Sequence, residues 1–355
     1  MAWAEPKGHT KGEINFAGEM LSNLDSSEDE ITKAIEILDN WRAIHGYPMH
    51  VFKIRLKKYS EIVDKRAISV QRLKRVPSII IKLRRGYHGN NPTMNLSQMQ
   101  DIGGCRTVVS TVELARKLYN DYYLKGDLKH KRINEKDYIE NPKEDGYRSI
   151  HIVYEYKSDK EKKEYNGLLV EVQIRSKLQH LWATAVETVD FFTRQSIKIS
   201  KGNKEWAEFF RLVSSAFAKW ENCPIVPNTP NNEKELFTRI KEKENELQII
   251  KLMRSWNDAI KFLEQEEKKK KDWKFYLLEL DIKGEKLNIS AYTNKEKNKA
   301  IEDYSRAEKR NNGNKEYDVV LVGADTTHDL RKAYPNYFVD TKDFLELLQK
   351  IVNKY

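Results

Sequence analysis

The stretch V-E-V-Q-I-R at residues 170–175 alternates strictly between apolar and polar side chains. A period of two is typical of a β-strand, whose successive side chains point to opposite faces of a sheet. Glu171, Gln173 and Arg175 therefore share one face. Because a carboxylate, an amide and a guanidinium in a row are costly to cover, this face is expected to line a functional site. The alternative is a solvent-facing edge strand.

The segments around this strand predict an α/β (α+β) fold with a mixed β-sheet flanked by helices. Two more segments, 105–110 and 149–156, are rich in Val, Ile and Tyr and alternate like strands. Between and around them, apolar residues recur at helical spacing. Ser27 and Glu30 form a capping box that predicts the start of one helix. A second, basic helix is expected at about 50–72.

Four segments are expected along the chain. Residues 1–25 have the pattern of a poorly specified N-terminal arm, and residues 26–200 form the α/β unit. Residues 201–271 are expected to be a helical connector, which ends in a long Lys/Glu-rich helix at 233–271. Residues 272–355 alternate between strand and helix patterns again and are expected to form a small, separate α/β domain.

The composition excludes several classes of protein. The 355 residues include 64 Lys and Arg and 54 Asp and Glu, which gives a net charge of +10. Two cysteines are too few for a disulfide framework or a four-cysteine zinc site. No apolar run approaches the roughly 18–20 residues of a membrane span, and the first residues lack the apolar stretch of a secretory signal. A soluble cytoplasmic protein is therefore expected.

The positive charge is concentrated in one part of the sequence. Residues 51–110 contain 13 basic and three acidic residues, a surplus of +10 that equals the net charge of the whole chain. Because clustered Lys and Arg attract polyanions, this segment is expected to bind one. A solvated basic helix face would have the same composition.

One motif in this basic segment, R-x-K-x-x-x-S-x-x-x-K, begins at Arg72. In a helix, Lys74, Ser78 and Lys82 would lie on one face and form a cationic ladder with a hydroxyl, which suits polyphosphate oxygens. Pro77 is expected to break a turn and bend this ladder. The alternative is a solvated helix face.

A second motif, D-I-G-G-C-R, begins at Asp101, where a loop enters the strand at 105–110. An aspartate at such a strand end can hold Mg²⁺, and Gly103 and Gly104 allow the backbone to approach a ligand closely. The alternative is an aspartate that caps a turn beside an ion-paired Arg106.

A third motif, D-Y-I-x-x-P-K-x-x-G-Y-x-S-x-H, spans 137–151. Pro142 and Gly146 predict a loop, on which Tyr147 can present its ring for stacking on a base. His151 would lie beneath that ring. A surface tyrosine and a core histidine are the ordinary alternatives.

In this order, the motifs resemble the synthetase domain of the RelA/SpoT family over roughly residues 50–195. Enzymes of that family transfer the β,γ-pyrophosphate of ATP to a ribose 3′-hydroxyl and release AMP. The resemblance implies a nucleotidyltransferase-like fold, ATP as a substrate and Mg²⁺ as a cofactor. It also implies roles for individual residues. The ATP-binding residues would be Arg72, Lys74, Ser78, Lys82 and Arg106.

The same resemblance implies a catalytic and an acceptor-binding set. Asp101 would bind Mg²⁺, and Glu171 would be a metal ligand or the base that accepts the 3′-hydroxyl proton. Tyr147 would stack on the base of the acceptor. The remaining acceptor-binding residues would be Lys143, His151, Gln173 and Arg175.

Members of the family differ in their acceptor. Some use GDP or GTP, whereas a toxic small-synthetase branch modifies the 3′-CCA end of tRNA and thereby inhibits translation. The segment N-W-R-x-x-H-x-Y-P at 40–48 resembles the start of that branch, and the charge of 51–110 also favours tRNA. tRNA is therefore the expected acceptor and partner, and a guanosine nucleotide is the alternative. Neither DNA nor a membrane is expected as a partner.

The C-terminal region resembles the antitoxin domain of the fused toxin–antitoxin CapRel proteins, which act in antiviral defence. The resemblance is carried by V-V-L-V at 319–322 and R-K-A-Y-P-N-Y-F at 331–338. It implies a zinc-finger-like domain without metal, in which Tyr334 and Tyr337 fold back near the ATP-binding arginines and inhibit the synthetase. A phage capsid protein would bind this domain and release the inhibition. Ordinary packing of the two tyrosines is the alternative.

Overall fold

The computed structural model divides into two compact units. The first comprises Met1–Ile139 and Arg148–Lys177, and the second comprises Glu140–Tyr147 and Leu178–Tyr355. The residues that the structure describes are 3–74, 76–85, 87–88, 91–92, 94–126, 128–193, 203–268, 273–281, 286–310, 317–323 and 337–355.

The first unit combines helices with one large sheet. Its helices are α1 (Lys11–Ser22), α2 (Glu28–Ile44), α3 (Gly46–Val63), α4 (Val76–Arg85) and α5 (Val112–Leu118), which continues as a π-helical turn (Tyr119–Leu124). Its strands are β1 (Ile68–Leu73), the two-residue pair β2 (Tyr87–His88) and β3 (Asn91–Pro92), β4 (Gly103–Val109), β5 (Lys131–Asp137), β6 (Ile150–Glu155) and β7 (Leu169–Ser176).

The large sheet has five strands in the order β1-β4-β7-β6-β5, and of the neighbouring pairs β4 and β7 are parallel while the others are antiparallel. The expected mixed sheet is confirmed, and β4, β6 and β7 are the strands that the sequence predicts. Strand β7 is central, so the interpretation of residues 170–175 as an edge strand is wrong.

One face of this sheet is apolar and covered by helices α3 and α5; we call it the back face, and the opposite face the front face. Phe52 and Leu56 of α3 are fully buried there. The Cys105 thiol donates to the Met49 carbonyl over 3.2 Å. The Thr107 hydroxyl donates to Ser60 Oγ over 2.9 Å, so both of these polar groups on the buried face are hydrogen-bonded.

The expected N-terminal arm is wrong, because α1 begins at residue 11 with a complete capping box. Thr10 Oγ1 accepts from the Glu13 backbone N–H, and the Glu13 carboxylate accepts from the Thr10 N–H. Helices α1, α2 and α4 then share a small apolar core. Its buried members include Ile14, Leu21, Leu38, Ile79, Leu83 and Leu96.

The basic helix expected at about 50–72 ends earlier, at the residue before Asp64, and strand β1 follows. Asp64 explains this end. Its carboxylate accepts from the Ser110 N–H over 2.7 Å and from the Arg66 N–H over 2.9 Å, so it fixes the turn and joins it to the end of β4. Such a contact across 46 positions has no signature in the local sequence.

The second unit holds the remaining helices and a smaller sheet. Its helices are α6 (Lys177–Thr193, of which Lys177 belongs to the first unit), α7 (Asn203–Trp220), α8 (Glu233–Leu247), α9 (Ile249–Lys268), α10 (Lys297–Arg310) and α11 (Tyr337–Val352). Strands β8 (Trp273–Asp281), β9 (Lys286–Thr293) and β10 (Tyr317–Gly323) form an antiparallel sheet in the order β10-β8-β9. The helix expected at 233–271 is two helices, since Gln248 adopts a left-handed conformation between them.

A single hydrophobic core joins the predicted connector to the predicted C-terminal domain. It contains Phe210 from α7, Trp256 from α9, Tyr276 from β8 and Phe344 from α11, all nearly or completely buried. The expectation that 272–355 is a separate domain is therefore wrong, because its sheet and last helix share their core with helices α6–α9. The predicted boundary at 200 also differs from the division of the two units, which precedes most of α6.

Among the helices of the described ranges, none has the length and apolar composition needed to cross a membrane.

Candidate active site

Polar side chains cover the front face of the large sheet, in register across the central strands. Glu171 is aligned with Gly104 of β4, and Gln173 is aligned with Arg106 of β4 and His151 of β6. Directly paired residues point to the same face of a sheet. Among the polar residues that the register places on the front face are Arg72, Arg106, His151, Glu171, Gln173 and Arg175. The prediction of a polar face on residues 170–175 is thereby confirmed.

Glu171 lies at the centre of this face and has two hydrogen-bond partners. His151 Nδ1 is 2.8 Å from Glu171 Oε1, and Gln173 Nε2 donates to Oε2 over 2.6 Å. Burial raises the pKa of the Glu171 carboxyl, but the hydrogen bonds from His151 and Gln173 outweigh burial and hold the pKa below its ordinary value. Glu171 is therefore an ionised, oriented carboxylate at neutral pH.

The three polar residues of β7 are linked to one another. The Arg175 guanidinium donates to Gln173 Oε1 over 2.9 Å, and Gln173 in turn donates to Glu171. Arg175 is only 3% exposed, so its charge is held inside the protein and not in solvent. Since an amide accepts at one end and donates at the other, Gln173 fixes the orientation of the carboxylate relative to the guanidinium.

Asp101 forms a second centre, in the loop before β4. Its two carboxylate oxygens each accept from a lysine over 2.9 Å, Oδ2 from Lys74 and Oδ1 from Lys82. Burial raises the pKa of the Asp101 carboxyl, but the charges of the two lysines outweigh it and the pKa lies below its ordinary value. Both carboxylate oxygens of Asp101 are thus bound by lysines, an arrangement that the alternative of a turn-capping aspartate beside an ion-paired Arg106 does not include.

The expected ladder of Lys74, Ser78 and Lys82 on one helix is partly wrong. Arg72 lies in β1 and Lys74 just after it, while Ser78 and Lys82 lie four residues apart on α4. The side chains of Lys74 and Lys82 nevertheless converge, because both bind Asp101. Pro77 does not break a turn, because it lies in the first turn of α4, where proline is tolerated.

The two glycines of the D-I-G-G-C-R motif lie on different faces of the large sheet. A Cβ at Gly103 would lie 2.9 Å from Met49 Cγ and 3.1 Å from His45 Cβ, so Gly103 makes room for α3 on the back face. The nearest atom to a Cβ at Gly104 would be the Glu171 carbonyl oxygen at 3.4 Å, an ordinary contact. Gly103 therefore serves helix packing, and the close approach of the backbone to a ligand stays a prediction for Gly104.

The two carboxylates are near enough to interact, since the charge of Asp101 raises the pKa of Glu171. In the described part of the chain, no group of three or more His, Cys, Asp and Glu side chains could hold a metal ion. Mg²⁺ does not require such a cage, because it is usually bound by one or two carboxylates together with substrate phosphates and water. Asp101 and Glu171 fit that mode of binding.

Lys143 and Tyr147, expected in the acceptor-binding set, lie in the loop Glu140–Tyr147, which belongs to the second unit. Lys143 Nζ lies 5.0 Å from the centroid of the Tyr147 ring. The ring is partly buried against the apolar core of the second unit. Tyr334 lies outside the described residues, and Tyr337 is the first residue of α11, where the backbone alone is described.

Sequence reasoning missed several residues around the site. The Arg42 guanidinium donates to the Lys74 carbonyl over 3.0 Å, and Asn134 Nδ2 donates to Gln100 Oε1 over 3.1 Å, which ties edge strand β5 to the loop of Asp101. The Tyr138 ring meets His151 edge to face with centroids 5.3 Å apart. Arg42 belongs to the N-W-R segment, but its partner 32 positions away could not be inferred from it.

The chain is similar in sequence to two curated proteins. GTP pyrophosphokinase YjbM of Bacillus subtilis (strain 168) is 32% identical over 120 residues, which cover 34% of this chain and 54% of that protein. GTP pyrophosphokinase YwaC of the same organism is 28% identical over 155 residues, 43% of this chain and 64% of that protein. The chain thus spans between 54% and 64% of these curated relatives.

The crystal structure of small alarmone synthetase 1 from Bacillus subtilis bound to its product pppGpp is 23% identical, with a TM-score of 0.44, and the match covers 53% of this chain and 94% of that one. The family model described as the region found in RelA/SpoT proteins matches residues 71–191, from β1 into α6. Arg72, Asp101, His151 and Glu171 all lie within that match. Residues 71–191 of the chain therefore resemble the region found in RelA/SpoT proteins, and the chain is similar to two curated GTP pyrophosphokinases.

Proposed function

We propose that this chain is an ATP-dependent pyrophosphokinase that transfers the β,γ-pyrophosphate of ATP to a ribose 3′-hydroxyl. The observation that carries the proposal is a pair of carboxylates inside the RelA/SpoT match: Asp101, which binds Lys74 and Lys82 in the loop before β4, and Glu171 on the front face, which is held by His151. The names of the two curated relatives, both GTP pyrophosphokinases, support the same reaction class.

The arrangement suits an in-line attack on the β-phosphorus. The 3′-oxygen forms a bond to that phosphorus while the bond to the α,β-bridging oxygen breaks, and AMP leaves with the bridging oxygen. Glu171 accepts the hydroxyl proton, since it is ionised at neutral pH and held by His151 and Gln173. General-base assistance of this kind is typically worth about 10²–10⁴-fold in rate.

The cations of the site would bind and orient the triphosphate. Arg72 and Arg106 lie on the front face, and Ser78 and Lys82 lie on α4, whose N-terminal turn favours anions. Asp101 and Glu171 would hold Mg²⁺, which when bound neutralises charge that develops on the phosphate oxygens. Lys74 and Lys82 can then exchange their bonds to Asp101 for bonds to phosphate.

Within this reaction we propose the tRNA 3′ end as the acceptor. The basic residues of 51–110 divide between two sides of the sheet: Lys53, Arg55, Lys57 and Lys58 lie on α3, which covers the back face, and Arg72 and Arg106 lie on the front face. A polymeric acceptor can contact both groups, whereas a nucleotide contacts one. The second candidate is a guanosine nucleotide, which the names of the relatives favour.

Incubation with γ-³²P-ATP and either tRNA or GDP distinguishes the acceptors. The proposal predicts label on tRNA at a rate that falls with salt, and substitution of Lys57 and Lys58 by Ala should lower the rate with tRNA about tenfold but leave a reaction with GDP unchanged. Label on GDP alone would make the guanosine nucleotide the acceptor. The same incubation with Tyr337→Ala protein removes the proposed inhibition, and label on neither acceptor with that variant would contradict the reaction class.

Inhibition by the C-terminal region, release by a phage capsid protein and a role in antiviral defence are further proposals, which rest on the resemblance to the fused toxin–antitoxin proteins. They predict that Tyr337→Ala makes expression toxic without any trigger, and that adding Glu171→Gln to the same chain restores growth. Normal growth of cells that express soluble Tyr337→Ala protein would contradict the inhibitory role.

A further inference from the structure

The loop Glu140–Tyr147 joins β5 to β6 of the first unit, but its contacts place it in the second unit. The loop closes on itself through three hydrogen bonds. The Gly146 N–H donates to the Lys143 carbonyl over 2.9 Å, the Lys143 N–H donates to the Tyr147 carbonyl over 3.2 Å, and the Tyr147 N–H donates to Asp145 Oδ1 over 2.9 Å. These bonds hold Lys143, Gly146 and Tyr147 together in one closed loop.

Gly146 is the residue of this loop that packs against α6 and α7. Its φ is +95°, which favours glycine, and the Ser214 hydroxyl of α7 donates to its carbonyl over 2.6 Å. A Cβ at Gly146 would lie 2.9 Å from Ser214 Cβ and 3.1 Å from Trp182 Cζ2. Glycine is therefore required here by the closeness of α6 and α7 as well as by the backbone conformation.

The side chains that receive Gly146 are themselves fixed in the core. Trp182 is 5% exposed and donates its indole N–H to the Phe210 carbonyl over 2.8 Å. The Phe210 ring lies 6.3 Å from the ring of Phe344 in α11, a residue that is fully buried. The loop that carries Tyr147 and the last helix of the chain are thus anchored in one core.

We call the loop Glu140–Tyr147 the acceptor loop. From these contacts we infer that Ser214 and Trp182 are positioning residues for the acceptor loop, and that α11 sets the position of this loop through Phe344. The inference rests on the proposed function, in which Tyr147 and Lys143 meet the acceptor. It gives the C-terminal region a direct influence on acceptor binding, because any partner that displaces α11 disturbs the core against which the loop is packed.

Hydrogen exchange on the full-length protein tests the structural part without requiring any activity. Ser214→Ala should speed exchange of the amides of 140–147 by about fivefold, the factor expected for one lost hydrogen bond. Ser215→Ala is the matched control: Ser215 is adjacent on α7, equally buried, and hydrogen-bonded to Thr229 and the Val226 N–H instead of the loop. Equal effects of the two substitutions on the loop would overturn the inference.

Kinetics test the functional part. Gly146→Ala should raise the KM for the acceptor about tenfold while the KM for ATP changes less than about twofold, since overpacking displaces the loop. Gly167→Ala is the control, because Gly167 has a similar φ of +89° but no atom within 4 Å of a Cβ. Phe344→Ala should also raise the KM for the acceptor. Phe344→Leu should return this KM most of the way to the wild-type value.

The outcomes separate the inference from the proposed function. Faster loop exchange in Ser214→Ala and Phe344→Ala protein that transfers no pyrophosphate at all would support the positioning role and contradict the proposed reaction. Unchanged loop exchange, or equal changes in KM for ATP and acceptor, would overturn the positioning role while the reaction stands.

Discussion

Strand β7 contributes side chains to both faces of the large sheet, and the two faces differ in polarity and burial. On the back face, Val172 and Ile174 are fully buried against apolar neighbours and α-helices. On the front face, Glu171 and Gln173 remain partly exposed and are held by hydrogen bonds to each other and to His151. Burial on the back face stabilises the fold, and the hydrogen-bonded front face carries the proposed chemistry. Substitutions one residue apart should therefore have unrelated effects.

The largest effect is expected at Glu171. Glu171→Gln keeps the shape of the side chain but removes the charge and the proton acceptor, so kcat should fall by at least about 100-fold. The midpoint of thermal unfolding should change by only a few degrees. Glu155→Gln, at the other end of the neighbouring strand, is the control and should change neither quantity. A Glu171→Gln enzyme with normal kcat would remove this carboxylate from the mechanism.

Ile174→Ala tests the opposite face of the same strand. Truncating a fully buried side chain should lower the free energy of unfolding by about 2–5 kcal/mol in urea titrations. The remaining folded protein should bind ATP normally, because the removed atoms point away from the front face. A small loss of stability with a large loss of ATP affinity would mean that the two faces are not independent.

The third prediction concerns pH and His45, which lies beneath Gly103 on the back face. Burial lowers the pKa of His45 to about 4. The unfolded chain therefore binds a proton at higher pH than the folded one, and stability is lost as pH falls from about 6.5 to 4, by at most about 1.4 kcal/mol per pH unit for this group. His45→Gln should make this slope shallower in urea titrations at several pH values, and an identical slope would contradict the assignment.

The smallest effect is expected at the adjacent glycines Gly103 and Gly104, which lie on different faces of the sheet. Gly103→Ala should cost about 1–3 kcal/mol of stability, because its methyl group would overlap Met49 and His45. Gly104→Ala should leave stability nearly unchanged but weaken ATP binding, because its methyl group would project from the front face. Thermal unfolding and a binding titration of both variants measure the contrast. Equal losses of stability would show that the faces are misassigned.

Local periodicity was enough to predict strands β4, β6 and β7 and the polar face of β7, because alternation identifies a strand and separates its two faces. Local periodicity did not predict β1, because its residues lie in a basic segment whose pattern predicts a helix. In the structure that helix ends before Asp64. The arm at residues 1–25 was misjudged because its apolar residues are sparse, although Thr10 and Glu13 carry a readable capping box.

The candidate site was predictable in its residue types and less so in its contacts. The motif of Lys74 and Lys82 indicated phosphate binding, but only the fold shows that both meet Asp101. The partnership of the acceptor loop with α7 was not predictable at all. Ser214 and Gly146 are 68 positions apart, and neither residue type signals such a contact.

The central claim, that the front face performs pyrophosphate transfer, is tested most directly by product analysis with γ-³²P-ATP. Protein freed from the proposed inhibition by Tyr337→Ala should release AMP in amounts equal to the labelled acceptor. Adding Glu171→Gln should abolish both products, and adding Glu155→Gln should leave them unchanged. Release of ADP in place of AMP, or an undiminished yield from the Glu171→Gln protein, would contradict the account.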